Sequence, residues 1–155
     1  MITAWRLIKG KYATHAFDGE GARLYGGRWN SPGFALTYCS ATASLAVLEV
    51  FANVQRSELL SHYVLVSCSF DESLVNHIDA RQLPANWRQS PPPAELTTVG
   101  DDWIRSGASV ILAVPSAIIE HEWNYLINPA HPNFRRIKRS APQSFTFDLR
   151  LVNRS

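Results

Sequence analysis

Residues 108–115, ASVILAVP, carry no charge and end on a proline. The run is rich in β-branched residues and far shorter than the roughly 20 residues that cross a bilayer. It therefore reads as a strand buried inside a sheet, which must find partner strands elsewhere in the chain. Ala4–Ile8 (AWRLI), Phe34–Cys39 (FALTYC), His62–Phe70 (HYVLVSCSF) and Ser73–Ile78 (SLVNHI) read as such strands. Ser144–Val152 (SFTFDLRLV) alternates and reads as a final, half-exposed strand.

Two helices fit between them. SATASLAVLEVFANV, residues 40–54, offers Ser40 or Thr42 as a cap and repeats Leu45, Leu48, Phe51 and Ala52 at helical spacing. A second helix is expected from Pro93 through Leu96, Val99, Trp103 and Ile104 to Gly107. Strands and helices mix without a steady βαβ rhythm, so the expected fold is α+β, a mixed or antiparallel sheet with flanking helices. Residues 1–155 are expected to form one domain, because neither side of the proline stretch Pro91–Pro93 holds enough apolar residues alone.

Several chemistries find no support. Tyr25–Gly33, YGGRWNSPG, lacks the Gly-Lys-Ser/Thr ending of a phosphate loop, and no strand feeds a GxGxxG turn. His121 opens a zincin-like HEWNY, but Tyr125 stands where the second histidine belongs, so no metal is expected. A net charge of +2 is too weak to imply nucleic-acid binding by this chain, and the basic run 135–139 reads as a solvated face. Cys39 and Cys68 lie in apolar runs and read as reduced core thiols. With no leader or spanning segment in view, a soluble cytoplasmic protein without a membrane partner is expected.

A handful of polar residues sit where plainer ones would serve. Glu49 is a single carboxylate in an apolar helix, and such a group is either paired structurally or used chemically. Tyr38 ends the strand before that helix and reads as core or as a flat wall of a site. Arg28 sits behind two glycines that let the backbone approach a ligand and present a planar fork to phosphate or carboxylate. Ser116 follows the buried strand, either as a helix cap for AIIEHEW or as a hydroxyl facing a pocket. Asn124, in EWNYLINP, reads as a turn residue or as a second such group.

Taken in order, GGRWN with Arg28, LTYCS with Tyr38, LAVLEV with Glu49, VPSAI with Ser116 and NYLINPAHP with Asn124 resemble the RES domain family. The resemblance runs from Trp5-Arg6 to about Pro132. It departs after Glu49, where similar proteins often carry a histidine one turn later and this chain has Asn53. Residues 71–107 match no motif of the family. The resemblance implies an ADP-ribosyltransferase-like fold and a toxin that consumes NAD, held in check by an Xre-like antitoxin over its active site. Cleavage of the nicotinamide–ribose bond is the activity it implies first, with transfer of ADP-ribose to a protein as the alternative. A nucleotide-binding module without catalysis is the third reading. Arg28, Tyr38, Glu49 and Ser116 are then the expected catalytic set, and Arg6, Arg28, Tyr38 and Asn124 the residues that hold NAD.

Overall fold

The computed structural model describes residues 1–153. Its strands β1 (Ile2–Lys9), β2 (Thr37–Ser40), β3 (Tyr63–Phe70), β4 (Val75–His77), β5 (Ile111–Pro115), β6 (Trp123–Ile127) and β7 (Lys138–Arg139) form one sheet. The spatial order is β4-β5-β6-β2-β1-β3-β7, with β8 (Gln143–Phe145) also paired to β3. Only β4 and β5 run parallel; every other pair is antiparallel. The result is the expected α+β class with a mixed sheet.

The apolar run 108–115 fills its predicted role. All five residues of β5 are buried, with Ile111 and Ala113 facing one core and Leu112 and Val114 another. The first core gathers Ala4, Cys39, Val66, Cys68, Phe70 and Ile127. The second packs Trp29, Leu36, Trp87, Leu96, Trp103 and Leu126 under α3 (Ala94–Ser106). A third joins Leu7, Leu59, Tyr63, Phe147 and Val152, with Val47 and Val50 of α2 (Ala43–Asn53) packed against it. Each Leu or Ile so buried contributes roughly 2–3 kcal/mol. Both cysteines are free and buried.

Four features depart from the sequence reading. A short helix α1 (Glu20–Tyr25) occupies the glycine-rich stretch, with glycines bounding it at Gly19 and Gly26, both at positive φ. β2 begins at Thr37, and Phe34 lies outside it with its ring under Arg105. Residues 123–127 form strand β6, whereas 117–122 make a turn and not a helix. The expected C-terminal strand stops at Phe145. Asp148 then caps helix α4 (Leu149–Val152) by accepting the Arg150 N–H at 2.8 Å, and Phe147 and Val152 turn inward.

Helix α2 carries Glu49 to the sheet. The Thr42 hydroxyl caps it by accepting the Leu45 N–H at 3.0 Å. Leu45 and Ala46 bury against the strands, which seats α2 over β1 and β2.

Candidate active site

Glu49 meets two donors from the far strands. The Ser116 hydroxyl donates to its Oε1 at 3.1 Å, and the Asn124 amide donates to the same oxygen at 2.7 Å. Strand pairing explains the meeting. Asn124 of β6 lies opposite Ser40 of β2 on one side and Val114 of β5 on the other, and Ser116 directly follows β5. The Ser40 hydroxyl donates to Asn124 Oδ1 at 2.8 Å, which turns the amide N–H₂ toward Glu49. Among the described residues no donor reaches Glu49 Oε2, so that oxygen is available to a ligand.

Ser116 is 0 % exposed and fully engaged. Its oxygen accepts the N–H groups of Ile118 and Ile119, both at 3.1 Å, while its hydrogen goes to Glu49. The two sequence alternatives therefore merge. The hydroxyl organises the following turn as a cap does, and it holds the carboxylate, but it does not open into a pocket.

The glycine loop is fixed from two sides. Trp29 is a core anchor, 2 % exposed. The Tyr38 hydroxyl accepts the Trp29 N–H at 3.0 Å and donates to Asn30 Oδ1 at 2.6 Å. Asn30, also buried, spreads its Nδ2 over the carbonyls of Ala22, Ser31 and Phe34. A Cβ at Gly27 would stand 2.6 Å from the Tyr38 oxygen, so the loop needs glycine there. From the other side, the buried Asp101 accepts the Ser31 N–H at 2.9 Å. A Cβ on neighbouring Gly100 would fall 1.7 Å from the Trp29 carbonyl oxygen.

So held, Arg28 is half-buried, and its Nη1 donates to the carbonyls of Trp87 at 3.1 Å and Gln89 at 2.8 Å. Its other guanidinium N–H groups have no partner among the described residues. Burial pulls the Arg28 guanidinium below its ordinary value, and attraction to Glu49 and Tyr38 opposes this. Burial raises the Tyr38 hydroxyl above its ordinary value, with the Trp29 N–H acting against it.

Arg6 stands apart. Its neighbour Leu7 packs with Val47 and Val50 of α2, so strand alternation turns Arg6 to the opposite face, where it pairs across to Val66. It reaches the site through the main chain alone, donating from Nη1 to the Tyr38 carbonyl at 2.9 Å. Its Nε is buried without a partner, and burial lowers its pKa. A cavity of about 490 Å³ opens on the face that carries Val66, between Phe17, Asp18, Phe134 and Arg139. None of the six sequence-derived residues lines it.

Glu49, Ser116 and Asn124 are thus bonded together, Tyr38 stands on the strand that carries Ser40, Arg28 is tied to the carbonyls of Trp87 and Gln89, and Arg6 braces the strand from behind. Sequence reasoning passed over Asn30, Asp101 and Gly100, and offered Ser40 only as a helix cap, a role that Thr42 takes. The GGRWN motif held the signal for Asn30, a buried polar residue between an anchor tryptophan and a proline turn. Among the described residues no three His, Cys, Asp or Glu side chains converge as a metal site would require.

A family model for the RES domain matches residues 3–149. A protein named Toxin Res from Yersinia enterocolitica is 37 % identical over 148 residues, covering 95 % of this chain and 97 % of that protein. A Prs ADP-ribosylating toxin from Sphingobium sp. strain YBL2 is 30 % identical over 156 residues, 97 % of each chain. Among solved structures, the M. tuberculosis MbcT–MbcA toxin–antitoxin complex contains a chain that superposes with a TM-score of 0.79 at 20 % identity. The match covers 94 % of this chain and 84 % of that one and shows a shared fold.

Proposed function

The chain belongs to the RES domain family, and we propose that it is the toxin of a toxin–antitoxin pair that breaks the nicotinamide–ribose bond of NAD. The observation that carries this reading is the Glu49 carboxylate. One oxygen is fixed by Ser116 and Asn124, and the other is left free. The names of the relatives, Toxin Res and Prs ADP-ribosylating toxin, support it.

The chemistry follows from the substrate. Nicotinamide in NAD is already a cationic leaving group, so departure requires no strong acid. The transition state is oxocarbenium-like, with positive charge growing on the ribose. A prepositioned carboxylate beside the ribose stabilises that charge and accepts a bond from a ribose hydroxyl. Glu49 Oε2 is the oxygen free to do so. Ser116 and Asn124 hold the carboxylate against rotation, so no reorganisation is needed as charge develops. Arg28 supplies charge-assisted bonds to the pyrophosphate through its unengaged N–H groups. Tyr38 keeps its hydroxyl for Trp29 and Asn30 and offers the ring as a stacking face. Arg6 acts in this scheme by bracing β2. An antitoxin protein covering Glu49 and Arg28 would restrain the activity, and the toxin–antitoxin title of the structural neighbour supports such a partner.

The test is direct. The purified chain is incubated with NAD, and nicotinamide and the ribose-side product are followed by chromatography, with and without phosphate. Free ADP-ribose marks water as acceptor, and a phosphorylated product marks phosphate. Transfer of label from NAD to a protein in lysate, without multiple-turnover release, favours the ADP-ribosyltransferase reading. Absence of both release and transfer would refute the proposal.

A further inference from the structure

Residues 71–107 carry no motif, yet one short piece of them touches both ends of the site. Trp87 is anchored in the second core, beside Trp29. The loop Trp87–Gln89 turns two main-chain carbonyls toward the glycine loop, where they accept Arg28 Nη1 at 3.1 and 2.8 Å. Between those carbonyls, the side chain of Arg88 ties the loop to another segment. Its Nε donates to the Ala117 carbonyl at 3.0 Å and its Nη2 to the Ile118 carbonyl at 3.3 Å. Glu120 completes the contact with an ion pair at 3.7 Å. Residues 117–119 are the turn whose N–H groups hold Ser116 Oγ, which in turn holds Glu49.

A continuous path therefore runs from the Arg28 guanidinium, through the 87–89 loop and Arg88, to the turn, Ser116 and the Glu49 carboxylate. We propose that Arg88 is a positioning residue that fixes the separation between Arg28 and Glu49. This rests on the reading of those two groups as the phosphate-binding and ribose-facing members of an NAD site. Displacing a reacting group by an ångström costs as much as a hundredfold in rate. A single surface contact has no such leverage on stability: the Arg88 side chain is 45 % exposed, and its ion pair is of the weak, solvated kind. The geometry also demands arginine. Two carbonyls in adjacent residues are met by two nitrogens of one planar guanidinium, a reach that a lysine ammonium does not reproduce.

The test compares wild type, Arg88→Ala, Arg88→Lys, Arg28→Ala and the double variant Arg28→Ala/Arg88→Ala. It follows nicotinamide release at varied NAD, together with thermal unfolding. Arg88→Ala is expected to unfold within a few degrees of wild type, to lose about tenfold in kcat/KM and to raise KM. Arg88→Lys should recover only part of the loss. In the Arg28→Ala background, Arg88→Ala should cost less than twofold more, because the path it completes has already lost one end. Full activity in Arg88→Ala, while Arg28→Ala is impaired, would overturn this inference and leave the NAD reading standing. So would a tenfold loss that persists undiminished in the double variant. If the wild-type chain releases no nicotinamide and transfers no ADP-ribose, the NAD reading fails first and this inference falls with it.

Discussion

Ser116→Ala should lower kcat strongly and leave KM nearly unchanged. The hydroxyl makes three hydrogen bonds, one given to Glu49 and two accepted from Ile118 and Ile119, and it is sealed from solvent. The bond to the carboxylate is the charged one. Hydrogen bonds to charged groups are worth about 1.5–3 kcal/mol, which converts to roughly a ten- to hundredfold loss in rate if the carboxylate loses its orientation. The two N–H groups left behind add about 1–3 kcal/mol each in lost stability where water does not replace the hydroxyl. The assay is steady-state nicotinamide release with a parallel denaturant titration. A control in the Glu49→Ala background separates the roles: there, removing Ser116 should cost stability but nothing further in rate. A raised KM with unchanged kcat would refute the reasoning, because it would mean that the hydroxyl touches NAD itself.

Gly100→Ala should be severely destabilising, since its methyl would occupy the space of the Trp29 carbonyl oxygen; a cost under about 1 kcal/mol in denaturant titration, below even ordinary overpacking, would show that α3 yields easily and contradict this. Tyr38 links the site to alkaline stability. Its folded value, raised chiefly by burial, exceeds that of an unfolded tyrosine, near about 10, so the folded chain keeps a proton that the unfolded chain has released. That contribution is complete below pH ~10 and is lost as pH climbs toward the folded value. Tyr38→Phe should therefore flatten part of the decline in stability above pH ~10, and a decline of unchanged slope would contradict the burial seen here.

The strands that build the core were legible because burial on both faces leaves a long apolar run, as in 108–115, or a clear alternation, as in 63–70. β6 was not, because Asn124 and the following Asn-Pro carry turn chemistry while the pairing of 124 with Ser40 and Val114 is decided by distant strands. Helix α1 hid behind glycines that serve its two ends. The C-terminal segment alternates well enough for a strand, but Asp148 offers a local cap, and Phe147 and Val152 find more burial in a helical turn.

The same division holds at the site. Glu49 was conspicuous as an acid among apolar neighbours, and Arg28 as a fork behind glycines. The order of motifs brought in Tyr38, Ser116 and Asn124. What spacing could not give was the direction of the bonds: that Ser116 is spent on Glu49 and its own turn, or that Arg6 faces away. Ser40 was legible only as a possible helix cap, a role that Thr42 fills, and Arg88 left no trace, because each acts through a partner far along the chain. Arg88 works on main-chain carbonyls, which any residue provides.

The most direct test sets Glu49→Gln beside wild type, with NAD binding followed by calorimetry and nicotinamide release by chromatography. The substitution keeps the side chain's size and an oxygen for Ser116 and Asn124 but removes the charge that would face the ribose. The account predicts NAD affinity within a few-fold of wild type and release slowed by about a hundred- to a thousandfold, the cost of one electrostatic group aimed at a developing charge. Release at the wild-type rate would contradict it and remove Glu49 from the chemistry.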